Sequence, residues 1–406
     1  VVGASRGEID AALAAVVRGE AHPAALRSDG AGARPSARRP HRLVFVCPGT
    51  GAHRAGMGRE LLRDEPVFRR ELEACDAEVQ RRAGWSLLEE IAADSDPVRA
   101  DLVTIGQPLI FALSAALAAL WRSWGVLPDA VVGHSLGEVT AAYLAGALSL
   151  AEAVRVVCTR AESLALSAGR GAMAAIDLGP ADAEEQLRGE DDRLAIAAWN
   201  GPGEAVLSGP VEALDAALAR LAARGVAARR LRSPHAFHGP AVRPAADALR
   251  AALADLAPRP VALPLYSTVT GARVEGPDLG PAHWARNVRD RVLFWPAVER
   301  LLEDGHGIFL ELSAHPALLP SVDDAARRTE RQALTLASLR RDRGERQAML
   351  EALAALYTEG RPVDWARLHP GRARCVPAPT YPWQRQRFPI PGAPPARPRA
   401  AATEAA

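Results

Sequence analysis

Apolar residues along the chain fall into runs whose lengths and spacing predict an alternation of strands and helices. LVFVC (Leu43–Cys47) is a continuous apolar run of strand length, as in strands buried on both faces of a parallel sheet, and a glycine-rich loop, PGTGAHRAGMG (Pro48–Gly58), follows its C-terminal end. Gln107 and Pro108 come next. Pro108 opens a long apolar helical pattern that stops at Gly125, with proline at the start of a helix and glycine just past its end. A second strand, AVV (Ala130–Val132), runs into GHSLGE and a further helix. Strand, helix, strand, helix predicts an α/β core.

Between about residues 172 and 232 the pattern changes to strand (AMAAIDL), helix (ADAEEQLR), strand (LAIAAWN), strand (EAVLSG), helix (Pro210 to Arg224, stopped by Gly225) and strand (VAARRLR). This βαββαβ order is the split, ferredoxin-like arrangement. The α/β pattern resumes at PLYSTVT (Pro264–Thr270) and GIFLELS (Gly307–Ser313), so the small unit is expected as an insertion in the larger one, with a ligand cleft between them. Residues 22–40, rich in Gly, Pro, Arg and small residues, have no periodicity that could bury a face and read as a linker. The Pro-, Ala- and Arg-rich tail from Pro389 reads as a second one.

Composition acts mainly by exclusion. The 406 residues carry 49 basic and 48 acidic side chains, a net charge of +1, which argues against a nucleic-acid binder held by a broad basic surface. Every basic residue is Arg, and without lysine there is no P-loop lysine, Schiff-base lysine or Ser-Lys dyad. Cys47, Cys75, Cys158 and Cys375 form no CxxC pair, and no His/Cys cluster has zinc-ligand spacing, so neither a metal site nor a disulfide framework is expected. No uninterrupted apolar run reaches the roughly 18 residues of a membrane helix, and no signal peptide opens the chain, so the expectation is a cytoplasmic protein with no membrane partner. The first residue is Val1, not Met, as expected of a piece of a longer polypeptide.

Against that background three positions carry chemistry. Gly133-His134-Ser135-Leu136-Gly137 is a GxSxG sequence between a predicted strand and a predicted helix, the context of a nucleophile elbow. Ser135 is the candidate nucleophile, and the backbone N–H of Leu136 the first oxyanion donor. A serine needs a base, and HAFH (His235-Ala236-Phe237-His238) lies where the small unit hands the chain back to the large one; His238 is the candidate, His235 a structural or pocket residue. Arg160 shares a helical stripe with Ala153, Val157 and Leu164. An arginine on an apolar stripe must pair or bind something, and near Ser135 it could grip a substrate carboxylate, the alternative being a snorkelling Arg paired with a nearby Glu. The loop at 48–58 lacks a GK[ST] ending, so nucleotide binding is not expected, and its glycines would let the Thr50 backbone N–H serve as the second oxyanion donor.

Together these residues resemble the acyltransferase domain of a modular type I polyketide synthase, itself similar to the malonyl-CoA:acyl carrier protein transacylases, from about Arg42 to Phe388. The resemblance implies Ser135 of GHSLGE as nucleophile, Arg160, twenty-five residues further on, as the carboxylate-binding arginine, and His238, the last residue of HAFH, as base. It also implies that a carbonyl at Asn287, in HWARN (His283–Asn287), orients that histidine, and that no acid completes a triad. Gln107, His134, His235 and Phe237 are expected to line the pocket. HAFH and the Leu136 of GHSLGE resemble the malonyl-selecting type, Phe237 filling space that a methyl branch needs, for a preference of about 1 to 3 kcal/mol. PGTGAH (Pro48–His53) departs from the family's usual PGQGSQ, which keeps the backbone donor but loses the Gln side chain.

The implied fold is a large α/β-hydrolase-like subdomain with an inserted small ferredoxin-like subdomain and flanking linkers. Residues 1–40 would end a ketosynthase-acyltransferase linker, 41–171 and 234–333 form the large subdomain, 172–233 the small one, 334–390 a post-acyltransferase linker containing PTYPWQRQRF (Pro379–Phe388), and 391–406 a disordered tail. The implied reaction is ping-pong transfer of malonyl from malonyl-CoA through Ser135 to the phosphopantetheine thiol of an acyl carrier protein, beside a ketosynthase domain of the same polypeptide, with no bound cofactor. Two other readings are open: an α/β-hydrolase-like thioesterase or esterase with His306 or His315 as base, and a catalytically silent docking domain.

Overall fold

The computed structural model describes residues 1–26 apart from residue 4, residues 41–369 apart from 52, 55, 94–101, 168, 170, 190–192 and 232, and positions 371, 377 and 380. Of the expected linkers, 27–40 and nearly all of 379–388 lie outside the described residues, as does the tail at 391–406. The chain divides into two compact units, Val1–Leu368 and His369–Ala406, and all regular structure described below is in the first.

In chain order the first unit runs α1 (Arg6–Arg18), β1 (Arg42–Cys47), α2 (Arg59–Asp64), α3 (Pro66–Ala83), α4 (Leu87–Ala92), α5 (Val103–Ser123), β2 (Ala130–Gly133), α6 (Gly137–Leu144) and α7 (Leu150–Ala165). It continues with β3 (Ala172–Ile176), α8 (Pro180–Gln186), β4 (Ala195–Gly201), β5 (Glu204–Gly209), α9 (Val211–Ala223) and β6 (Ala228–Arg230). Then follow α10 (Arg243–Ala252), β7 (Leu265–Ser267), β8 (Ala272–Arg273), α11 (Pro281–Arg289), β9 (Val292–Leu293), α12 (Phe294–Glu303), β10 (His306–Glu311), α13 (Leu319–Arg328), β11 (Leu334–Ala337), α14 (Glu345–Thr358) and α15 (Trp365–Leu368).

The larger sheet has the order β11-β10-β1-β2-β7-β8, parallel except for the antiparallel edge strand β8. Its central strands are apolar along their whole length because helices cover both faces: Leu43 to Cys47 and Ala130 to Val132 are fully buried. In the β1/β2 register Cys47 lies beside Gly133, so the glycine-rich loop and the GHSLGE turn leave the C-terminal edge of the sheet side by side. That edge is where ligands bind in parallel α/β sheets.

The smaller sheet has the order β6-β3-β5-β4-β9 and its own apolar core, including Ile176, Ile196, Leu207 and Leu214. Its first four strands are the expected βαββαβ unit in ferredoxin-like order. The fifth, β9, comes from the chain after the insertion, and pairs parallel to β4 with Ala198 beside Val292 and Trp199 beside Leu293. A two-residue strand has no periodic signature, and only the partner defines it.

Three expectations about local structure change. Helix α5 begins at Val103, not at Pro108, so the proline lies inside the helix and Gln107 becomes a buried residue of it. Pro108 forfeits the bond its N–H would have made to the carbonyl of Thr104. This helix has the length and apolarity to cross a membrane, but 83% of its apolar window is buried inside the fold, where it packs on α3 and α7. Residues 334–337, assigned to the trailing linker, are strand β11 of the large sheet, and α14 packs on α2 and β11. Within residues 1–40, Arg6–Arg18 is a capped helix, with Ser5 accepting from the Glu8 N–H and Gly19 closing its C-terminus in the left-handed region.

The α14 contact fixes the glycine-rich loop. Glu345, buried at the start of α14, accepts from the backbone N–H groups of Gly58 (2.8 Å), Glu60 (3.0 Å) and Leu61 (3.2 Å), and Glu60 in turn accepts from the N–H of Glu345 (2.7 Å). Two helix starts cap each other, and the loop that began beside Gly133 is tied down at its far end.

Candidate active site

The strand-turn-helix at 130–144 explains the two glycines of GxSxG by collision. A Cβ at Gly133 would lie 2.3 Å from the backbone of Gly137 and Glu138, and one at Gly137 2.1 Å from the carbonyl oxygen of Cys47. Ser135 between them is held at φ 53°, in the left-handed region that a non-glycine residue enters only under constraint. The first turn of α6 closes with the Gly137 N–H on the His134 carbonyl and the Glu138 N–H on the Ser135 carbonyl, while no acceptor among the described residues takes the Leu136 N–H. Gly49 passes close to the same turn, where an added Cβ would stand 3.0 Å from the His134 carbonyl and 3.7 Å from Cβ of Ser135. Thr50, next in the loop, is exposed.

Ser135 Oγ lies 2.8 Å from His238 Nε2. His238 Nδ1 lies 3.0 Å from the backbone carbonyl of Asp290, which fixes the proton on Nδ1 and leaves Nε2 as the acceptor for the serine hydroxyl. Burial, with the nearby charge of Arg160 second, pushes the imidazole down to about 3, which favours the neutral ring. His238 is itself at φ 57°, so both partners of the pair sit in strained backbone.

Here one expectation is corrected. The carbonyl that orients His238 is that of Asp290, three residues beyond Asn287. Asn287 stands on the other side of the serine: its Nδ2 donates to the Ser135 carbonyl (3.0 Å) and its Oδ1 accepts from Arg160 Nε (3.3 Å). The Asp290 carbonyl is placed by β9, whose pairing with β4 begins two residues later, and by Arg291, which reaches Glu184 of α8 (2.8 Å) and stacks 4.2 Å over the Trp199 ring.

Arg160 is buried with its stripe neighbours Ala153, Val157 and Leu164. Its Nη2 donates to Ser135 Oγ (3.0 Å), Nη1 to Gln107 Oε1 (2.8 Å) and Nε to Asn287 Oδ1 (3.3 Å). No carboxylate pairs with it among the described residues, and desolvation alone lowers the guanidinium to about 10. The snorkelling alternative, with a salt bridge to a nearby Glu, therefore does not occur. A guanidinium has five N–H donors, and these bonds engage each nitrogen once, leaving one N–H on each of Nη1 and Nη2 for a ligand.

Sequence reasoning missed the support beneath the serine. Glu138, fully buried, faces His283 Nε2 across 3.0 Å and accepts from the hydroxyl of Thr268 (3.0 Å) and Nδ2 of Asn287 (3.4 Å). The Glu of GHSLGE was visible in the motif, but Thr268 and His283 carry no spacing signal that points to it. Of the remaining pocket residues, His134 lies 2.8 Å from Asn200 Oδ1 of β4, and Phe237 stacks on His235 at 4.8 Å between ring centres. The late histidines do not meet the serine. His306 opens β10 at the opposite, N-terminal edge of the parallel sheet and bonds the Leu301 carbonyl, and His315, in the loop after β10, makes no hydrogen bond to Ser135.

A strained serine at the C-terminal edge of a parallel sheet, hydrogen-bonded to a histidine that a backbone carbonyl orients, places the chain among α/β folds that carry a serine-histidine pair on a strand-turn-helix elbow. The Acyl transferase domain family matches residues 44–362, and the chain belongs to it. It is 41% identical to the spectinabilin polyketide synthase system protein NorA' of Streptomyces orinoci over 95% of its length, and spans 10% of that protein. Among solved structures it resembles the acyltransferase domain from module 8 of the salinomycin polyketide synthase, at 38% identity and a TM-score of 0.83 over 90% of this chain and 85% of that one. It also resembles MCAT from Streptococcus pneumoniae, at 25% identity and a TM-score of 0.69 over 78% and 99%. The likeness to polyketide synthase acyltransferases read from GHSLGE and HAFH is thus borne out, and the chain is an acyltransferase domain.

Proposed function

We propose that this domain transfers a malonyl group from malonyl-CoA to the phosphopantetheine thiol of an acyl carrier protein, through an ester on Ser135. His238 Nε2 takes the Ser135 proton as Oγ attacks the thioester carbon, the N–H groups of Leu136 and Thr50 receive the oxyanion, and the protonated histidine returns its proton to the departing CoA sulfur. The carrier thiol then attacks the ester, and His238 acts again in the reverse order. The carrier protein and a neighbouring ketosynthase belong to the expected setting, since the relative NorA' is a polyketide synthase system protein ten times the length of the matched segment.

The observation that carries the choice of a diacid is Arg160, a buried cation without an acidic partner among the described residues, its Nη2 3.0 Å from Ser135 Oγ. In malonyl one methylene separates the carboxylate from the thioester carbon, so a carboxylate on the two free N–H groups of Arg160 brings that carbon to Oγ. Preference for malonyl over methylmalonyl rests on Phe237, whose ring the stack on His235 holds in place. The expectation is tested by intact-protein mass spectrometry after brief mixing with malonyl-, methylmalonyl- or acetyl-CoA, with Ser135→Ala as control. A dominant malonyl adduct, lost in the variant, is the expected result; an unmodified protein with no CoA release in any mixture would mean a silent domain.

A further inference from the structure

The carboxylate of Glu138 lies behind the serine, and the hydrogen bonds that reach it continue as one chain to Arg160. Glu138 is in the first turn of α6 and fully buried. His283 and Asn287 approach it from α11, where they share one face at i and i+4: His283 Nε2 stands 3.0 Å from Oε1, and Asn287 Nδ2 3.4 Å from Oε2. Thr268, just past β7, brings its backbone N–H (3.3 Å) and its hydroxyl (3.0 Å) to Oε2. An ionised carboxylate only accepts, and each of these groups can donate to it.

An asparagine amide has a donor end and an acceptor end of nearly equal size, so its partners alone decide which way round it sits. On the Nδ2 side of Asn287 are two acceptors, the Ser135 carbonyl at 3.0 Å and Glu138 at 3.4 Å; on the other side is a donor, Arg160 Nε at 3.3 Å. The Ser135 carbonyl also accepts from the Glu138 backbone N–H (3.0 Å), which leaves the carboxylate as the charged acceptor that holds the amide. Turned round, the amide would set its oxygen against a carboxylate and a carbonyl, and its NH2 against the guanidinium. Arg160 depends on that orientation. Its other bonds run to Gln107 and to Ser135 Oγ, and Oγ becomes a poorer acceptor once it bonds an acyl carbon. We propose that Glu138 is a positioning residue for recognition of the substrate acid: clamped by His283 and Thr268, it holds the Asn287 amide one way round and thereby keeps Arg160 aimed at a carboxylate beside Ser135. The proposal rests on the reading of Arg160 as the carboxylate-binding group and adds to it the group that aims it.

The readout is the ratio of acyl-serine formation from malonyl-CoA to that from acetyl-CoA, with kcat and KM measured for each, because a loss of fold stability alone lowers both substrates together. Glu138→Ala, Asn287→Ala and the double variant form one cycle. The expected result is a fall of about tenfold in the ratio for Glu138→Ala, chiefly through the malonyl KM, and a double variant no lower than Asn287→Ala alone. A parent-like ratio in folded Glu138→Ala, or single losses that multiply in the double variant, overturns the proposal. If Glu138→Ala yields no folded protein, His283→Phe and His283→Gln decide, since the first removes the donor to Oε1 and the second replaces it with an amide N–H. A ratio lowered in His283→Phe and restored in His283→Gln is then expected, and a ratio that is parent-like in both or lowered alike in both overturns it. Arg160→Ala is measured beside them. A parent-like ratio there means that Arg160 does not read the carboxylate, and the proposal falls with that reading; a lowered ratio there beside a parent-like one in Glu138→Ala overturns the positioning role alone.

Discussion

If Arg160 binds the substrate carboxylate as proposed, removing its guanidinium should separate recognition of that carboxylate from the chemistry at Ser135. In Arg160→Ala a malonyl carboxylate loses the two N–H donors that the bonds to Ser135, Gln107 and Asn287 leave over. Each charge-assisted bond in a buried site is worth about 1.5 to 3 kcal/mol, so the pair accounts for about 3 to 6 kcal/mol, or roughly 10² to 10⁴ in rate. Acetyl-CoA has no carboxylate to lose, and the variant also relieves His238 of the neighbouring charge that helps depress it. The quantity to measure is therefore the ratio of acyl-serine formation from malonyl-CoA to that from acetyl-CoA, by quenched-flow mass spectrometry, with thermal melting to check the fold. Gln107 and Asn287 each lose a bond, so some loss of melting temperature is expected as well. The reasoning fails if malonyl and acetyl loading decline by the same factor, for Arg160 would then support the serine without reading the substrate.

Asn287→Ala cuts the tie between Arg160 and the Ser135 backbone but leaves the His238 bond to Asp290, so malonyl loading should fall about tenfold more than acetyl loading, mainly in KM; an equal fall in both would make Asn287 a support of the fold alone. His238 is depressed to about 3 in the folded protein against 6.5 when free, so between those values the unfolded chain binds the additional proton. Its contribution to stability is complete above about 6.5 and is lost as the pH falls through that window, and His134 and His235 are shifted in the same direction by burial. Urea midpoints should therefore fall between about pH 8 and about pH 5, and a midpoint independent of pH would contradict this. Gly137→Ala should fail to accumulate as folded protein, because its Cβ would meet the Cys47 carbonyl at 2.1 Å at the C-terminal end of β1; a melting temperature like the parent's would show that the turn can move.

Much of the site was legible in the sequence because its constraints are local. A serine between two glycines after an apolar strand can be read from five residues, since the glycines answer to collisions inside that turn and with the adjacent strand. Arg160 was legible as a charge on an apolar stripe, and the βαββαβ insertion as a change of periodicity, because both are patterns of residue type. The assignment of Asn287 to the histidine went astray because the group that orients His238 is a backbone carbonyl, which every residue possesses.

Amino-acid order by itself thus determined most of the elements and picked out the serine, the histidine and the arginine that the fold brings together. Tertiary structure decided what holds them: β9, which exists only through its pairing with β4; the Asp290 carbonyl that this pairing positions; the buried Glu138 and Glu345, whose donors lie up to hundreds of residues away; and Gln107, carried into the site by a helix that starts before its proline. The physical reason is common to these cases. A backbone group or a buried carboxylate acquires its role from partners remote in sequence, and no local pattern of residues records that partnership.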